Sequence, residues 1–250
     1  MGTSADAAPV LALEDVVSGY GKLTVLNRTS FRVARGAITT IIGPNGAGKS
    51  TVFKAVFGLL PVQDGRVVFD GREITNFGPR RLLELGMSYV PQGRNIFPEL
   101  SVRHNIELGA TAAAAGADVA ARIESVMDRF PVLRERADAQ ASTLSGGQQK
   151  QLEIARSLLL DPKLMLIDEP SIGLSPRLVQ ETFGILGELR DKGVSILMVE
   201  QNAKRALEVS DYGVVLELGR TRMTGAARTI LADPRVGQLF LGGGMAADAA

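Results

Sequence analysis

The chain has no cysteine and a single histidine, His104. Without cysteine there is no disulfide framework and no cysteine-based zinc site, which suits a reducing compartment. Charge of one sign is missing as well. The 28 Lys+Arg nearly balance the 27 Asp+Glu, for a net +1, and this removes the usual electrostatic case for a nucleic-acid partner. No uninterrupted apolar stretch approaches the roughly 18 residues that a membrane span needs, so a membrane role is expected to come through a partner. The opening MGTSADAAPV has no basic region followed by an apolar one and does not read as a signal peptide.

What is present is enough for a sizeable core. At 45% hydrophobic, 250 residues can form one large domain, or a domain with a subdomain. Residues 1–9 and 242–250 read as frayed ends around a single domain at 10–241. Leu11 to about Val33 and Gly65 to Ile74 read as strands, with Asp70-Gly71 as a hairpin turn. AITTII reads as a buried strand, and GKSTVFKAVFGLL as a helix closed by Gly58 and Pro61. From about Gly93 to Thr143 the pattern is helical and includes the alanine-rich ATAAAAGADVAA. KLMLI and VSILMV are compact apolar runs of the kind found in parallel strands covered on both faces. Strand–helix alternation then predicts an α/β core, and GVVLELGRTRMTGA reads as a last hairpin.

GPNGAGKST fits G-x-x-x-x-G-K-[ST], with a strand before it and a helix after it. The stretch comprises Gly43, Pro44, Asn45, Gly46, Ala47, Gly48, Lys49, Ser50 and Thr51. Such a loop turns successive backbone N–H groups inward, and the helix start adds about half a positive charge. The motif predicts that Lys49 reaches the β- and γ-phosphates of a nucleotide and that the Ser50 hydroxyl ligates Mg²⁺. KLMLIDEP places Asp168 and Glu169 where an apolar strand stops, and ligands of open parallel sheets sit at such ends. Two adjacent acids there suit a divided task, with Asp168 holding Mg²⁺ and Glu169 polarising an attacking water.

TLSGGQQKQLEIARSLLLDP starts a helix with a serine and two glycines, all poor helix formers, before a strongly helical run. Ser145 with the N–H groups of Gly146 and Gly147 makes a second anion site at a helix start. Together with the two preceding motifs, LSGGQ (Leu144, Ser145, Gly146, Gly147, Gln148) resembles the signature of ATP-binding cassette (ABC) ATPases. The resemblance runs from Leu11 to about Leu241 with the motifs in the family's order.

The resemblance implies an α/β fold: a P-loop NTPase core with a mostly parallel sheet, an N-terminal antiparallel β-subdomain and an α-helical signature subdomain at about 93–160. It implies ATP and Mg²⁺ as cofactors. It also implies a head-to-tail dimer, with itself or with a paralogous ATPase subunit, in which LSGGQ caps the nucleotide bound to the partner's loop. Tyr20 matches the aromatic that stacks on adenine. Gln92, in YVPQGRNIFPEL, matches the glutamine that contacts Mg²⁺ or the attacking water, and Gly93 to Glu107 would convey closure to a membrane subunit.

Two departures from the family pattern stand out. Gln201, in LMVEQNAKRAL, occupies the place of the histidine that senses the γ-phosphate, and His104 lies elsewhere. An amide can donate a hydrogen bond to a phosphate oxygen but carries no proton. Ser175 stands where many relatives have an aspartate that crosses to the other subunit, so direct charge coupling by that residue is not expected. PQGRNIFPELSV, DEPSIGLSP and VEQNAKRAL together resemble the smaller ATPase subunit of branched-chain amino-acid importers, with urea and short-amide importers carrying similar segments. That implies integral-membrane permeases, an indirect solute-binding protein and a peripheral place on the cytoplasmic face of the membrane. Soluble relatives acting on DNA or the ribosome fit less well. Positions 52 to 143 hold no heptads, the chain has one cassette, and it lacks the cysteines of zinc-bearing repair relatives. An exporter ATPase, such as one serving lipopolysaccharide, is the closer competitor.

Overall fold

A computed structural model describes residues 8–112 and 118–240. Strands β1 (Leu11–Tyr20) and β2 (Leu23–Val33) lead to β3 (Ile38–Ile42) and helix α1 (Lys49–Val56). Next come β4 (Val62–Phe69), β5 (Arg72–Glu73), α2 (Pro79–Glu84) and β6 (Met87–Val90). A helical stretch follows: α3 (Val102–Glu107), α4 (Val119–Arg129), α5 (Pro131–Arg134) and α6 (Gly146–Leu158). The chain then alternates through β7 (Leu164–Asp168), α7 (Pro176–Asp191), β8 (Ser195–Val199) and α8 (Ala203–Val209). It continues with β9 (Tyr212–Glu217), β10 (Arg220–Ala226), α9 (Ala227–Ala232) and α10 (Pro234–Phe240).

Two sheets result. The larger runs β10-β9-β3-β8-β7-β6, parallel throughout except for β10, which turns back beside β9. The smaller is antiparallel in the order β2-β1-β4-β5, and Asp70-Gly71 forms the predicted turn between β4 and β5. This is the α/β fold expected, with its antiparallel N-terminal sheet and its helical insertion.

The apolar runs read as continuous because both faces of the parallel sheet are covered. Met165 and Ile167 of β7, with Ile196 and Met198 of β8, enter one core together with Ile106, Val126 and Leu152 of the helical region. Their neighbours Leu164, Leu166, Leu197 and Val199 enter a second core with Phe53 of α1 and Leu13 of β1. The period of two that separates the cores leaves no polar position from Leu164 to Ile167 or from Ile196 to Val199. Part of the alanine-rich stretch, 113–117, lies outside the described residues, as do most of the ends expected to fray.

The order β3-β8-β7-β6 decides where the site is. All four strands run the same way, so the segments following Ile42, Val199, Asp168 and Val90 emerge along one edge. Neighbouring strands lie about 4.8 Å apart, and side chains on those segments are therefore within reach of one another.

Candidate functional site

The Gly43–Thr51 loop leaves β3 and opens α1, with Gly46 at φ +79° and Gly48 at φ +101°. Lys49 is buried, and its Nζ donates to the carbonyls of Gly43 (2.8 Å) and Pro44 (3.0 Å). Burial pushes the Lys49 ammonium down, opposed by the charges of Glu169 and Asp168. The loop is braced from behind by the turn between β9 and β10. Gly219 donates its N–H to the Ala47 carbonyl at 3.0 Å, and its own carbonyl accepts from Asn27 N–H. A Cβ at Gly219 would lie 1.8 Å from the Val25 carbonyl, and φ there is +70°. Only glycine fits so close an approach.

Asp168 ends β7 and Glu169 follows it, both buried. Glu169 sits at φ +49°, a left-handed conformation that costs a non-glycine residue about 1–3 kcal/mol and that turns the carboxylate out of the strand. Two amides converge on it. Gln92, just past β6, donates Nε2 to Oε2 at 2.7 Å. Gln201, just past β8, donates Nε2 to both oxygens at 3.1 and 3.2 Å. These residues lie 77 and 32 positions from Glu169 in sequence; β6 and β8 flank β7 and bring them together.

Asp168 accepts from the Tyr89 hydroxyl at 3.4 Å through Oδ2. Its Oδ1 is buried with no hydrogen-bond partner. Its carboxyl is pushed up to about 6, by burial first and the Glu169 charge second, with Tyr89 and Ser50 pulling the other way. An orphaned carboxylate oxygen on a residue that also meets the Ser50 hydroxyl is a hard oxygen donor set of the kind a small divalent cation takes. Among the described residues no three of His, Cys, Asp and Glu gather as a metal site, so such an ion would need phosphate oxygens and water to complete its shell.

Ser145 lies at the exposed start of α6. Its Oγ accepts from the Gln148 N–H, and the Gln148 side chain accepts from the Ser145 N–H, closing a capping box. Among the described residues no hydrogen bond links Leu144–Gln148 to Gly43–Thr51. The two glycines differ. A Cβ on Gly147 would meet Leu178 of α7 at 2.5 Å, whereas one on Gly146 would meet nothing closer than Leu174 at 3.7 Å. Gly147 is therefore closely packed within the chain, and Gly146 is not. Tyr20 is 46% exposed, with Lys54 Nζ 5.5 Å from its ring centre. His104 lies in α3, within the helical region.

Sequence reasoning missed three supporting groups. Glu200 is buried and accepts the N–H groups of Ser171 (2.8 Å) and Gln201 (3.2 Å), joining the loops after β7 and β8. Its place at the end of VSILMV, like that of Asp168 at the end of KLMLI, was a usable signal. Tyr89 and Gly219 carried none, because their partners come from distant strands. On the helical side, a groove of about 690 Å³ is lined by Leu83, Arg94, Asn95, Phe97, Leu108 and Arg156 among others, and Phe97 is 50% exposed.

A glycine-rich loop with a buried lysine, facing strand-end carboxylates across the edge of a parallel sheet, defines a P-loop nucleotide-binding protein. Residues 26–172 match the ABC transporter family, and this chain belongs to that family, as one of its ATP-hydrolysing subunits. The high-affinity branched-chain amino acid transport ATP-binding protein BraG of Pseudomonas aeruginosa is 38% identical over 234 residues, spanning 94% of this chain and 100% of that protein. The probable branched-chain amino acid transport ATP-binding protein LivF of Archaeoglobus fulgidus is 37% identical over 226 residues, spanning 90% of this chain and 95% of that one. Among solved structures, the ADP conformation of an ATP-binding cassette of an ABC transporter superposes with a TM-score of 0.87 at 29% identity, covering 94% of this chain and 100% of that chain.

No helix among the described residues is long and apolar enough to cross a membrane.

Proposed function

We propose that this subunit powers import of branched-chain amino acids, working as an ATP-sandwiched dimer with itself or a paralogous ATPase, at the cytoplasmic face of a membrane. Support for the substrate class comes from the 38% and 37% identity to BraG and LivF over nearly their whole lengths. Support for the catalytic assignment comes from one observation above the rest: Gln92 and Gln201, from the strands on either side of β7, converge on Glu169, and β8 alone separates β7 from the strand that leads into the lysine loop.

In this reading Lys49 exchanges its two carbonyl contacts for the β- and γ-phosphates, and the N–H groups of Gly46 to Thr51 cradle them. Tyr20 offers its exposed face to adenine. Ser50, Asp168 and Gln92 would hold Mg²⁺, which would neutralise charge on the phosphates. Glu169 orients the attacking water, and its two amide partners hold it in line. Positioning and electrostatics supply most of the acceleration.

Ser145, Gly146 and the start of α6 face the partner's γ-phosphate, which explains why Gly146 is free of crowding inside its own chain. Hydrogen bonds to a charged group are each worth about 1.5–3 kcal/mol, and moving an equilibrium from mostly open to mostly closed takes about 5.5 kcal/mol. Two to four such contacts would therefore close the dimer with ATP and release it after hydrolysis. Permease subunits dock at the groove beside Phe97, and a solute-binding protein acts through them.

The test is Glu169→Gln with MgATP, followed by light scattering on a sizing column. A stable dimer is expected, with turnover below about a hundredth of the unmodified protein. Normal turnover removes Glu169 from its role, and a strict monomer removes the sandwich. Reconstitution with permeases should give ATP hydrolysis stimulated by solute-binding protein loaded with leucine, isoleucine or valine; stimulation only by an outward-moving lipid overturns import.

A further inference from the structure

Asn95 is tied in two directions. Its backbone belongs to α6: the N–H donates to Glu153 Oε1, and the carbonyl accepts from Arg156. Its side-chain amide belongs to the catalytic edge, donating to the carbonyls of Pro91 at 3.2 Å and Gln92 at 3.3 Å. Gln92 in turn holds Glu169.

The grip from α6 is unusually firm for a loop. Glu153 and Lys150 form a buried ion pair, at 2% and 5% exposure, and Lys150 Nζ also reaches the Gly93 carbonyl at 3.3 Å. A buried ion pair brings little net stability over an apolar pair of the same size. What it adds here is a charged acceptor and a charged donor aimed at the backbone of the Gly93–Asn95 segment. Arg156, one turn on, lies over the Phe97 ring at 5.6 Å, so the same helix face also shapes the wall of the groove.

We propose that Asn95 is a positioning residue for ATP hydrolysis, locking the Gln92 backbone to the helix that begins at Ser145. The inference rests on the sandwich reading above. In that dimer Ser145 faces the partner's nucleotide while Gln92 serves the chain's own, so Asn95 carries the state of one site to the other. A purely local role, an asparagine completing its own turn, would steady the loop and leave the two sites independent.

The discriminating measurement is steady-state ATP hydrolysis by Asn95→Ala, with ATP affinity, melting temperature and Hill coefficient read alongside. The expected result is kcat down about tenfold, as for a small misplacement of a catalytic group, and a Hill coefficient falling from near two toward one. ATP Kd should stay within twofold and the melting temperature within a few degrees. Lys150→Met with Glu153→Leu should behave like Asn95→Ala. Lys150→Met with Glu153→Gln keeps an acceptor for the Asn95 N–H and should bring kcat back to within threefold of the unmodified chain. If the leucine pair does not fold, Asn95→Ala decides alone. Should Asn95→Ala keep its kcat and Hill coefficient while Gln92→Ala loses activity, the Asn95 role is wrong and the catalytic reading stands. Should Gln92→Ala also be fully active, both fall.

Discussion

Gln201 donates its side-chain amide to both carboxylate oxygens of Glu169, at 3.1 and 3.2 Å. A neutral donor thus stands beside the candidate catalytic base at a place where a histidine would titrate. The contact steadies the carboxylate in any protonation state of the surroundings, because an amide neither gains nor loses a proton near neutral pH.

The first prediction follows from that pair. Gln201→Ala should lower kcat by about tenfold or more, the equivalent of losing one hydrogen bond to a charged group, with ATP affinity within twofold. Gln201→His should add a limb to the pH–rate profile between about pH 6 and 7 that the unmodified chain lacks. Stopped assays across pH 5.5–8.5 would show it; an unaffected Gln201→Ala enzyme means the amide holds nothing of consequence.

Asp168 gives a pH dependence with a definite sign. Its folded pKa of about 6 lies above the unfolded value of about 3.9. Between about pH 4 and 6 the folded chain therefore holds more protons than the unfolded chain, and stability of the ligand-free protein falls as pH rises through that window and stays lower above it. Asp168→Asn removes the buried charge. Scanning calorimetry without Mg²⁺ should find its melting temperature raised by a few degrees at pH 7.5 and unchanged at pH 4, while hydrolysis is lost. An equal gain at both pH values would show that charge burial is not the cause.

Gly219 should matter for nucleotide binding although it touches no nucleotide. An alanine there meets the Val25 carbonyl at 1.8 Å in a left-handed backbone, and any shift pulls its N–H from Ala47 in the phosphate loop. Gly219→Ala is expected to melt several degrees lower, since each kcal/mol is worth about 2–4 °C in a domain of this size, and to bind ATP several-fold more weakly. Gly71→Ala is the control: φ there is +77° with nothing within 4 Å of the added carbon. It should pay about 1–2 kcal/mol for the backbone and leave ATP affinity alone. Equal affinities in the two variants would mean the Gly219 turn does not brace the loop.

Local chemistry was legible in the residues themselves. GPNGAGKST shapes its own anion site because the glycines, the lysine and the helix start lie within nine consecutive positions. Ser145 and Gln148 form a capping box three residues apart, and the unbroken apolar runs of KLMLI and VSILMV mark strands covered on both faces. Even the departure at Gln201 can be seen without coordinates. What the linear order could not provide was everything set by which strand lies beside which. Parallel strands are joined by long crossovers, so β6, β7 and β8 are neighbours although some 70 residues of helical chain separate β6 from β7. Only their pairing places Gln92 and Gln201 on either side of Glu169 and stations Asn95 between α6 and the catalytic edge, just as the pairing of β9 with β3 puts the Gly219 turn behind Ala47. Residue identity determined what each group can do; the sheet order decided which groups do it together.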